Sequence, residues 1–283
     1  MWEYYRYNPS LVAAIIFAVL FSLVTIVHVC LLLRTKTWYF IPLAVGGAFE
    51  IVGYIGRILS SEQTPNWTLV PYIIQTLFLL VAPPLLAASI YMELSRIVLL
   101  VDGESHCLLK RQWLSKVFVT GDILSFFIQC GGGGIMANGS ISSMTLGQHI
   151  VIGGLALQLV SFGFFIVVAG VFHGRLHRYP THASTGSVPW RKHQYALYAA
   201  SILILIRSVF RVIEYCQGND GFLSRHEYFL YVFDAALMWC VLVLFVAVHP
   251  GELTGLLAKK RLENQSGGVE YEMMQSPKSD LRC

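Results

Sequence analysis

Residues 123–174 read ILSFFIQCGGGGIMANGSISSMTLGQHIVIGGLALQLVSFGFFIVVAGVFHG and contain no Asp, Glu, Lys or Arg. A helix that crosses a bilayer needs about 20 apolar residues, so this stretch is too long for one such helix. The polar run Asn138-Gly-Ser-Ile-Ser-Ser143 interrupts it. The pattern predicts two membrane-spanning helices joined by a short loop.

The composition of the whole chain agrees with a membrane protein. Of 283 residues, 20 are Lys or Arg and 16 are Asp or Glu, together 13%, while 55% are hydrophobic and the mean hydropathy is +0.61. Soluble globular domains carry about 25% charged residues. One soluble core could not hide so much apolar surface from water. The composition therefore excludes a soluble cytoplasmic enzyme, a disordered chain and a nucleic-acid-binding domain.

The other apolar segments predict five further spans, so the predicted fold class is an all-α membrane protein, a seven-transmembrane helix bundle. The predicted spans are approximately residues 11–33, 39–60, 70–97, 117–137, 148–173, 195–216 and 228–248. Residues 11–251 form the transmembrane domain in this interpretation. Residues 1–10 form an extracellular N-terminus, and residues 252–283 form a polar, disordered cytoplasmic tail.

The positions of Lys and Arg predict the orientation, because cytoplasmic loops carry an excess of both. The first, third and fifth loops and the C-terminal tail hold most of the basic residues outside the spans, whereas the second and fourth loops hold none. The N-terminus is therefore predicted outside and the C-terminus in the cytoplasm. The sequons Asn66-Trp-Thr68 and Asn138-Gly-Ser140 fall in loops predicted outside, so Asn66 and Asn138 are glycosylation candidates.

Nine charged residues fall inside the predicted spans. An Arg or Asp at a helix centre that faces lipid costs about 2.5–3.5 kcal/mol. We therefore expect these residues to face the bundle interior and to pair with one another. They are Glu50, Arg57, Glu93, Arg96, Asp122, Arg207, Arg211, Glu214 and Asp234.

Helical spacing places polar residues on shared faces, which predicts a polar substrate-binding column through the bundle. The residues that share a face are Glu50 with Tyr54 and Arg57, Gln75 with Glu93, and Arg207 with Arg211 and Glu214. The predicted substrate-binding residues are Glu50, Tyr54, Arg57, Gln75, Glu93, Asp122, Gln129, Arg207, Arg211, Glu214 and Asp234. The alternative is that such buried pairs only lock helix packing.

Other local features carry narrower predictions. Pro83-Pro84 interrupts the third helix near mid-membrane and frees backbone carbonyls, as a structural kink, a hinge or a substrate contact. Four consecutive glycines at 131–134 favour close helix packing over a ligand site. The six cysteines form no C-x-x-C pair and are interpreted as buried, unpaired thiols. His173 and His177 are interpreted as solvated histidines, so no metal site and no cofactor are predicted.

A series of motifs runs through residues 8–251. They are Glu50-x-x-Gly53-Tyr54-x-x-Arg57, Gln75-Thr-Leu-Phe-Leu-Leu-Val-Ala-Pro-Pro84, Tyr91-Met-x-Leu-x-Arg96, Asp122-x-x-Ser125-Phe-x-x-Gln129, Arg207-Ser-x-x-Arg211-x-x-Glu214, Glu227-x-x-x-Tyr231-x-Phe-Asp234 and His249-Pro-Gly251. In number and order they resemble the fungal lipid-translocating exporter family, seven-helix proteins of the aminocholesterol-resistance type. The resemblance implies a polytopic fungal membrane protein, usually of the plasma membrane. Members are linked to sphingoid long-chain-base release, resistance to toxic amphiphiles and, in one branch, porphyrin movement.

The predicted function is a membrane transporter or translocase of amphiphilic lipids, above all sphingoid long-chain bases, and not an enzyme. Its predicted partners are membrane lipids and an amphiphilic substrate, with no nucleic acid. The alternative is a seven-helix lipid receptor or sensor without transport activity. Two motifs of G-protein-coupled receptors are absent from the sequence: the third helix ends in Glu93-Leu-Ser-Arg96 instead of an acidic-Arg-aromatic triplet, and the seventh lacks Asn-Pro-x-x-Tyr. A zinc hydrolase would need several His or Asp ligands at one depth, and only His28 lies well inside a predicted span.

Overall fold

Helices joined by short turns and loops make up the residues that the structure describes, and no strand occurs among them. The computed structural model describes residues 7–64, 66–136, 140–185, 189–218 and 221–262. Seven segments are long and apolar enough to cross a membrane, which confirms the predicted all-α seven-helix fold. Besides single turns, the helices are α1 (Leu11–Thr35), α2 (Ile41–Glu62), α3 (Leu69–Leu100), α4 (Arg111–Met136), α5 (Ile141–Arg178), α6 (Trp190–Gln217), α7 (residues 227–247) and α8 (residues 251–262).

The helix ends follow ordinary capping chemistry. Ser10 precedes α1, and its hydroxyl accepts a hydrogen bond from the Ala13 N–H (3.4 Å). Ser140 does the same for α5 through the Ser143 N–H (3.2 Å). Such caps satisfy N–H groups that have no partner within their own helix. Lys36 ends α1 in the left-handed region, with a φ of 53°.

Several helices extend beyond the predicted spans. α4 begins at Arg111 instead of residue 117, and α5 runs for 38 residues from Ile141 to Arg178 instead of over 148–173. A helix of that length measures about 57 Å, against about 30 Å for the hydrocarbon core of a bilayer. Hydropathy marks only the apolar part of a helix, because the hydrogen bonds between its turns continue where the chain leaves the lipid.

The chain after α7 departs from the predicted polar tail. It continues as α8 over residues 251–262, so the expectation of disorder from residue 252 does not hold there. Leu253 and Leu257, four residues apart on one face, are buried against the bundle. Lys260 donates to the Leu100 carbonyl at the end of α3 (3.0 Å). Residues 263–283 lie outside the described part of the chain.

Helices that follow one another in the chain pack together around a closed ring. α7 closes the ring against α1, and α3 additionally contacts α6 across it. α3 is the most enclosed span, with 50% of its most apolar window buried inside the protein. Glu93 of α3 and His193 of α6 meet in this interior.

Glycines set how closely two helix pairs approach. A Cβ on Gly56 of α2 would lie 2.9 Å from the Gln75 backbone nitrogen of α3, so the two backbones are almost in contact. In α4, a Cβ on Gly132 would lie 2.7 Å from the Gly147 carbonyl of α5. A Cβ at residue 131, 133 or 134 would meet nothing within 4 Å. Close packing therefore explains one of the four consecutive glycines and not the run.

Candidate functional site

The interior between α6 and α7 holds a chain of four charged side chains, which we call the central cluster: Arg207, Arg211 and Glu214 of α6 and Asp234 of α7. Arg207 Nε donates to one oxygen of Asp234, and Arg211 Nη2 donates to the other. Arg211 Nη1 also donates to Glu214 (3.0 Å). Arg207 and Asp234 are only 1% and 3% exposed. The spacing of four and three residues on α6 thus produces one ionic face, as predicted.

A backbone carbonyl of α3 completes the contacts of Arg207. Arg207 Nη2 donates to the Leu79 carbonyl oxygen at 2.8 Å. In a regular helix the residue four positions later donates to that oxygen, but here that residue is Pro83, which has no N–H. The prediction that Pro83-Pro84 frees a backbone carbonyl is therefore confirmed, and an arginine of another helix binds the freed oxygen.

A π turn in α7, Tyr231–Ala235, positions two polar residues in the interior. Tyr231 and Asp234 both belong to this turn, and both are buried. A π turn widens one turn of a helix by one residue, and such turns occur frequently at functional sites. The sequence carries no signal for this turn, because residues 228–248 fit a continuous apolar helix.

Arg57 of α2 anchors a second group, the N-terminal cluster, at the end of the bundle where α1 begins. Arg57 Nη2 donates to Glu227 Oε1 (2.7 Å) and to the Tyr7 hydroxyl (2.9 Å), and Nε donates to the Tyr231 hydroxyl (2.9 Å). Glu227 also accepts from the Ser10 N–H (2.8 Å). Arg57 is 0% exposed, and the Glu227 carboxylate at the start of α7 balances its buried charge.

Glu50 lies near the midpoint of α2, about two helical turns from Arg57. It is 2% exposed, and its Oε1 has no hydrogen-bond partner among the described residues. The charges that act on it most strongly are those of Asp234, Arg207 and Arg211 in the central cluster. Glu50 and Arg57 share a helix face as predicted. The expectation that the charges inside the spans pair with one another does not hold for Glu50, which forms no ion pair with the described residues, whereas Arg57 binds Glu227.

An aromatic layer fills the space around Tyr54. Its ring stacks on Phe21 and Phe17, with centroids 5.5 and 5.7 Å away, and Phe17 also stacks on Tyr231 at 5.2 Å. Tyr54 is fully buried, and its hydroxyl has no partner within the described ranges. The same holds for Arg57 Nη1. Buried polar atoms of native proteins are nearly always satisfied, so these atoms offer contacts to a polar ligand.

Glu93 of α3 anchors a third group, the C-terminal cluster, at the opposite end of the bundle. His193 of α6 contacts Glu93 Oε1 through Nδ1 (3.3 Å) and Glu252 Oε2 of α8 through Nε2 (3.2 Å). Lys192 also pairs with Glu252, at 3.2 Å. Glu93 and His193 are 0% exposed. His193 of α6 thus links α3 to α8, the helix that follows α7.

The remaining predicted site residues lie apart from the three clusters. Asp122 of α4 accepts from the Tyr91 hydroxyl of α3 (2.9 Å). Gln129 of α4 donates through Nε2 to Gln158 of α5 (3.1 Å). Gln75 is buried in α3, beside α2. The structure therefore divides the predicted column, because the polar residues of α4 contact α3 and α5 instead of the three clusters.

Several members of the clusters are missing from the predicted set: Glu227, Tyr231, His193 and Glu252. Glu227 and His193 lie one and two residues outside the predicted spans, where a charged or polar group needs no partner. A signal for Glu227 and Tyr231 exists in their spacing of four, which places both on one helix face. The position of Glu252 carries no such signal, because its contact depends on how α8 packs.

The described cysteines are free, as predicted, but they are not buried. Cys30, Cys216 and Cys240 are exposed, and Cys107 and Cys130 are partly exposed. An apolar surrounding in a membrane protein does not require burial inside the protein, because lipid supplies it. Outside the spans, burial raises the pKa of the Cys107 thiol to about 11.

The structure bears on two other predicted features. Asn66 is exposed in the connection between α2 and α3, whereas Asn138 lies outside the described residues. No group of three His, Cys, Asp or Glu side chains suited to a metal ion occurs in the part of the chain that the structure describes.

Comparison with known proteins adds relatives of comparable length. Residues 43–256 match the family described as RTA1 like protein. Protein RTA1 of Saccharomyces cerevisiae is 35% identical, over 88% of this chain and 85% of that protein. Protoporphyrin uptake protein 1 of the same yeast is 35% identical, over 85% of this chain and 90% of the relative. The S. cerevisiae sphingoid long-chain base transporter RSB1 is 26% identical, over 86% and 72%. No solved structure matches the chain.

Proposed function

The chain belongs to the RTA1-like protein family, and from that premise we propose that it transports amphiphilic lipids across a membrane through its buried polar interior. The predicted resemblance to fungal lipid-translocating exporters is confirmed by the family match. Sphingoid long-chain bases are the proposed substrates, and no catalytic step forms part of this function. The proposed location is the plasma membrane, with the N-terminus outside and the C-terminus in the cytoplasm.

The observation that carries this proposal is the central cluster itself. Four charged side chains, two of them almost wholly buried, join α6 to α7 inside the bundle, and Arg207 also reaches a freed carbonyl of α3. Intramembrane charges are costly to insert and mark substrate and ion pathways. Contacts of this kind can exchange partners, because an ammonium or hydroxyl group of a substrate can replace one arm of an ion pair.

The chemistry of a sphingoid base suits this interior. Its head group has a cationic amine and hydroxyls, and its tail is apolar. The polar clusters supply carboxylates and hydroxyl groups for the head group, while the outer faces of the spans are apolar and suit the tail. Two relatives are named for a sphingoid long-chain base and for protoporphyrin, both amphiphiles, which supports this class of substrate.

Reconstitution tests the proposal directly. The purified protein is placed in liposomes, labelled phytosphingosine is added to one leaflet, and its arrival in the other leaflet is followed. We expect Arg207→Lys to slow the movement at least tenfold, because Lys keeps the charge but cannot contact both Asp234 and the Leu79 carbonyl. The matched control is Glu104→Gln, in an exposed pair with Arg111 (2.5 Å), which should move the base at the wild-type rate.

Two outcomes contradict transport. Equal movement in protein-free liposomes and in liposomes with the wild-type protein would exclude a translocase for this base. Saturable binding of phytosphingosine without movement would instead support the alternative, a seven-helix lipid receptor or sensor.

A further inference from the structure

The charges in the core of α2, α6 and α7 do not balance. Each buried arginine contacts a carboxylate: Arg57 contacts Glu227, and Arg207 and Arg211 share Asp234, with Glu214 completing the chain. Three arginines thus face three carboxylates in these contacts. Glu50 is a fourth carboxyl group and takes part in none of the ion pairs of the described residues.

Among the described residues, the arginines whose charges act on Glu50 already hold other carboxylates. Asp234 of α7 holds both Arg207 and Arg211 of α6 through direct hydrogen bonds. On α2 itself, Tyr54 is neutral and Arg57 is bound to Glu227. An isolated carboxylate buried away from water is so unfavourable that such a group usually takes up a proton instead. The geometry therefore favours a neutral, protonated Glu50 in this structure.

We propose that Glu50 is a proton-binding site that exchanges its proton for the cationic head group of the transported amphiphile. This inference rests on the proposed function. In the exchange, the O–H bond of the Glu50 carboxylic acid breaks and its proton leaves to water. The carboxylate then pairs with the ammonium group, so the charge of the site is the same before and after.

The exchange has a direct consequence for energy coupling. Each base that enters the site releases one proton, and each base that leaves allows one proton to bind. A proton gradient across the membrane then drives the base in the opposite direction. The hydroxyl of Tyr54, which has no partner among the described residues, lies one turn along the same face and is placed to accept a hydrogen bond from the bound ammonium group.

The protonation state is tested first, without any substrate. Infrared spectroscopy of the purified protein at neutral pH should show a carbonyl-stretch band of a protonated carboxylic acid. That band should be lost in Glu50→Gln, displaced in Glu50→Asp and unchanged in the control Glu104→Gln. A band unaffected by either change at Glu50 would overturn the proposal. Failure of Glu50→Gln to fold, with Glu50→Asp folded, would also overturn it, because Gln mimics the neutral acid.

The exchange is tested by counting protons. Phytosphingosine is added to the protein in weakly buffered detergent solution, and the protons released are measured against the base bound. Wild type should release about one proton per bound base, and Glu50→Gln none, as expected when a cation displaces a proton from a single site. Binding by the wild type without proton release would overturn the exchange but leave transport intact. Failure of the wild type to bind the base at all would overturn both.

Discussion

Replacing Asp234 by Asn should destabilise the folded protein far more than the loss of one hydrogen bond would suggest. Asn keeps the shape of the side chain but removes the negative charge between Arg207 and Arg211. Interhelical hydrogen bonds in membranes contribute about 0.6 kcal/mol on average. Removing one partner of a buried ion pair costs about 3–5 kcal/mol, because the remaining charge is left without compensation.

The larger figure applies here, because Asp234 is 3% exposed and its carboxylate contacts two arginines rather than one. After the change, two arginines share Glu214 as their remaining carboxylate within the central cluster. A loss of about 3–5 kcal/mol lowers the folding equilibrium constant by a factor of roughly a hundred to several thousand. It is a large part of the about 5–15 kcal/mol that stabilises a typical protein.

The assay is reversible unfolding in lipid bicelles, with Asp122→Asn as the matched control. Asp122 is equally buried, at 4% exposed, but it accepts a single hydrogen bond from the Tyr91 hydroxyl, which an Asn oxygen can also accept. We therefore expect a loss of about 1 kcal/mol or less for the control. Equal losses in the two variants, or a loss below about 1 kcal/mol for Asp234→Asn, would refute the reasoning.

Three further predictions concern single residues: a glycine between α4 and α5, an acidic residue of α8 and an exposed asparagine between α2 and α3. Gly132→Ala should lower the thermal stability, because its Cβ would lie 2.7 Å from a backbone oxygen of α5, whereas Gly131→Ala should be neutral or stabilising, because its Cβ meets nothing within 4 Å. A lower melting temperature for Gly131→Ala than for Gly132→Ala would contradict this prediction. Glu252→Ala removes an anchor of α8 and should speed amide hydrogen exchange in residues 251–262, measured by mass spectrometry against wild type; an unchanged rate would count against the contact. Asn66→Gln should abolish a glycan-dependent shift in gel mobility if the α2–α3 connection faces outside, and no glycan on the wild-type protein would remove that support for the orientation.

The seven spans could be predicted because long apolar runs are a local property of the chain. The Arg207, Arg211 and Glu214 face was predictable for a similar reason, since spacing within one helix fixes which residues lie together. Partners on other helices were not predictable. Glu50 and Arg57 share a face, but only the three-dimensional structure shows that Arg57 of α2 binds Glu227 of α7.

Two errors share a physical origin at the ends of the helices. Glu93 was expected to pair with a charged residue inside the spans. Its partner is His193, which lies two residues before the predicted sixth span. The apolar residues of α8 are too few to distinguish this segment from a polar tail by hydropathy. Its two leucines, Leu253 and Leu257, are nevertheless buried against the bundle. Hydropathy weighs residues by their average polarity, whereas these contacts depend on the three-dimensional position of single side chains.

The contacts of Tyr7 and Ser10 with Arg57 and Glu227 have a practical consequence for protein engineering. Tyr7 and Ser10 supply two of the contacts at the N-terminal cluster, immediately before α1 begins. A truncated variant that starts at Leu11 would lose the Tyr7 hydroxyl that accepts from Arg57 and the Ser10 N–H that donates to Glu227, and would leave Arg57 and Glu227 less constrained. Affinity tags and fluorescent fusions are therefore better attached at the other end of the chain, where none of these contacts is disturbed.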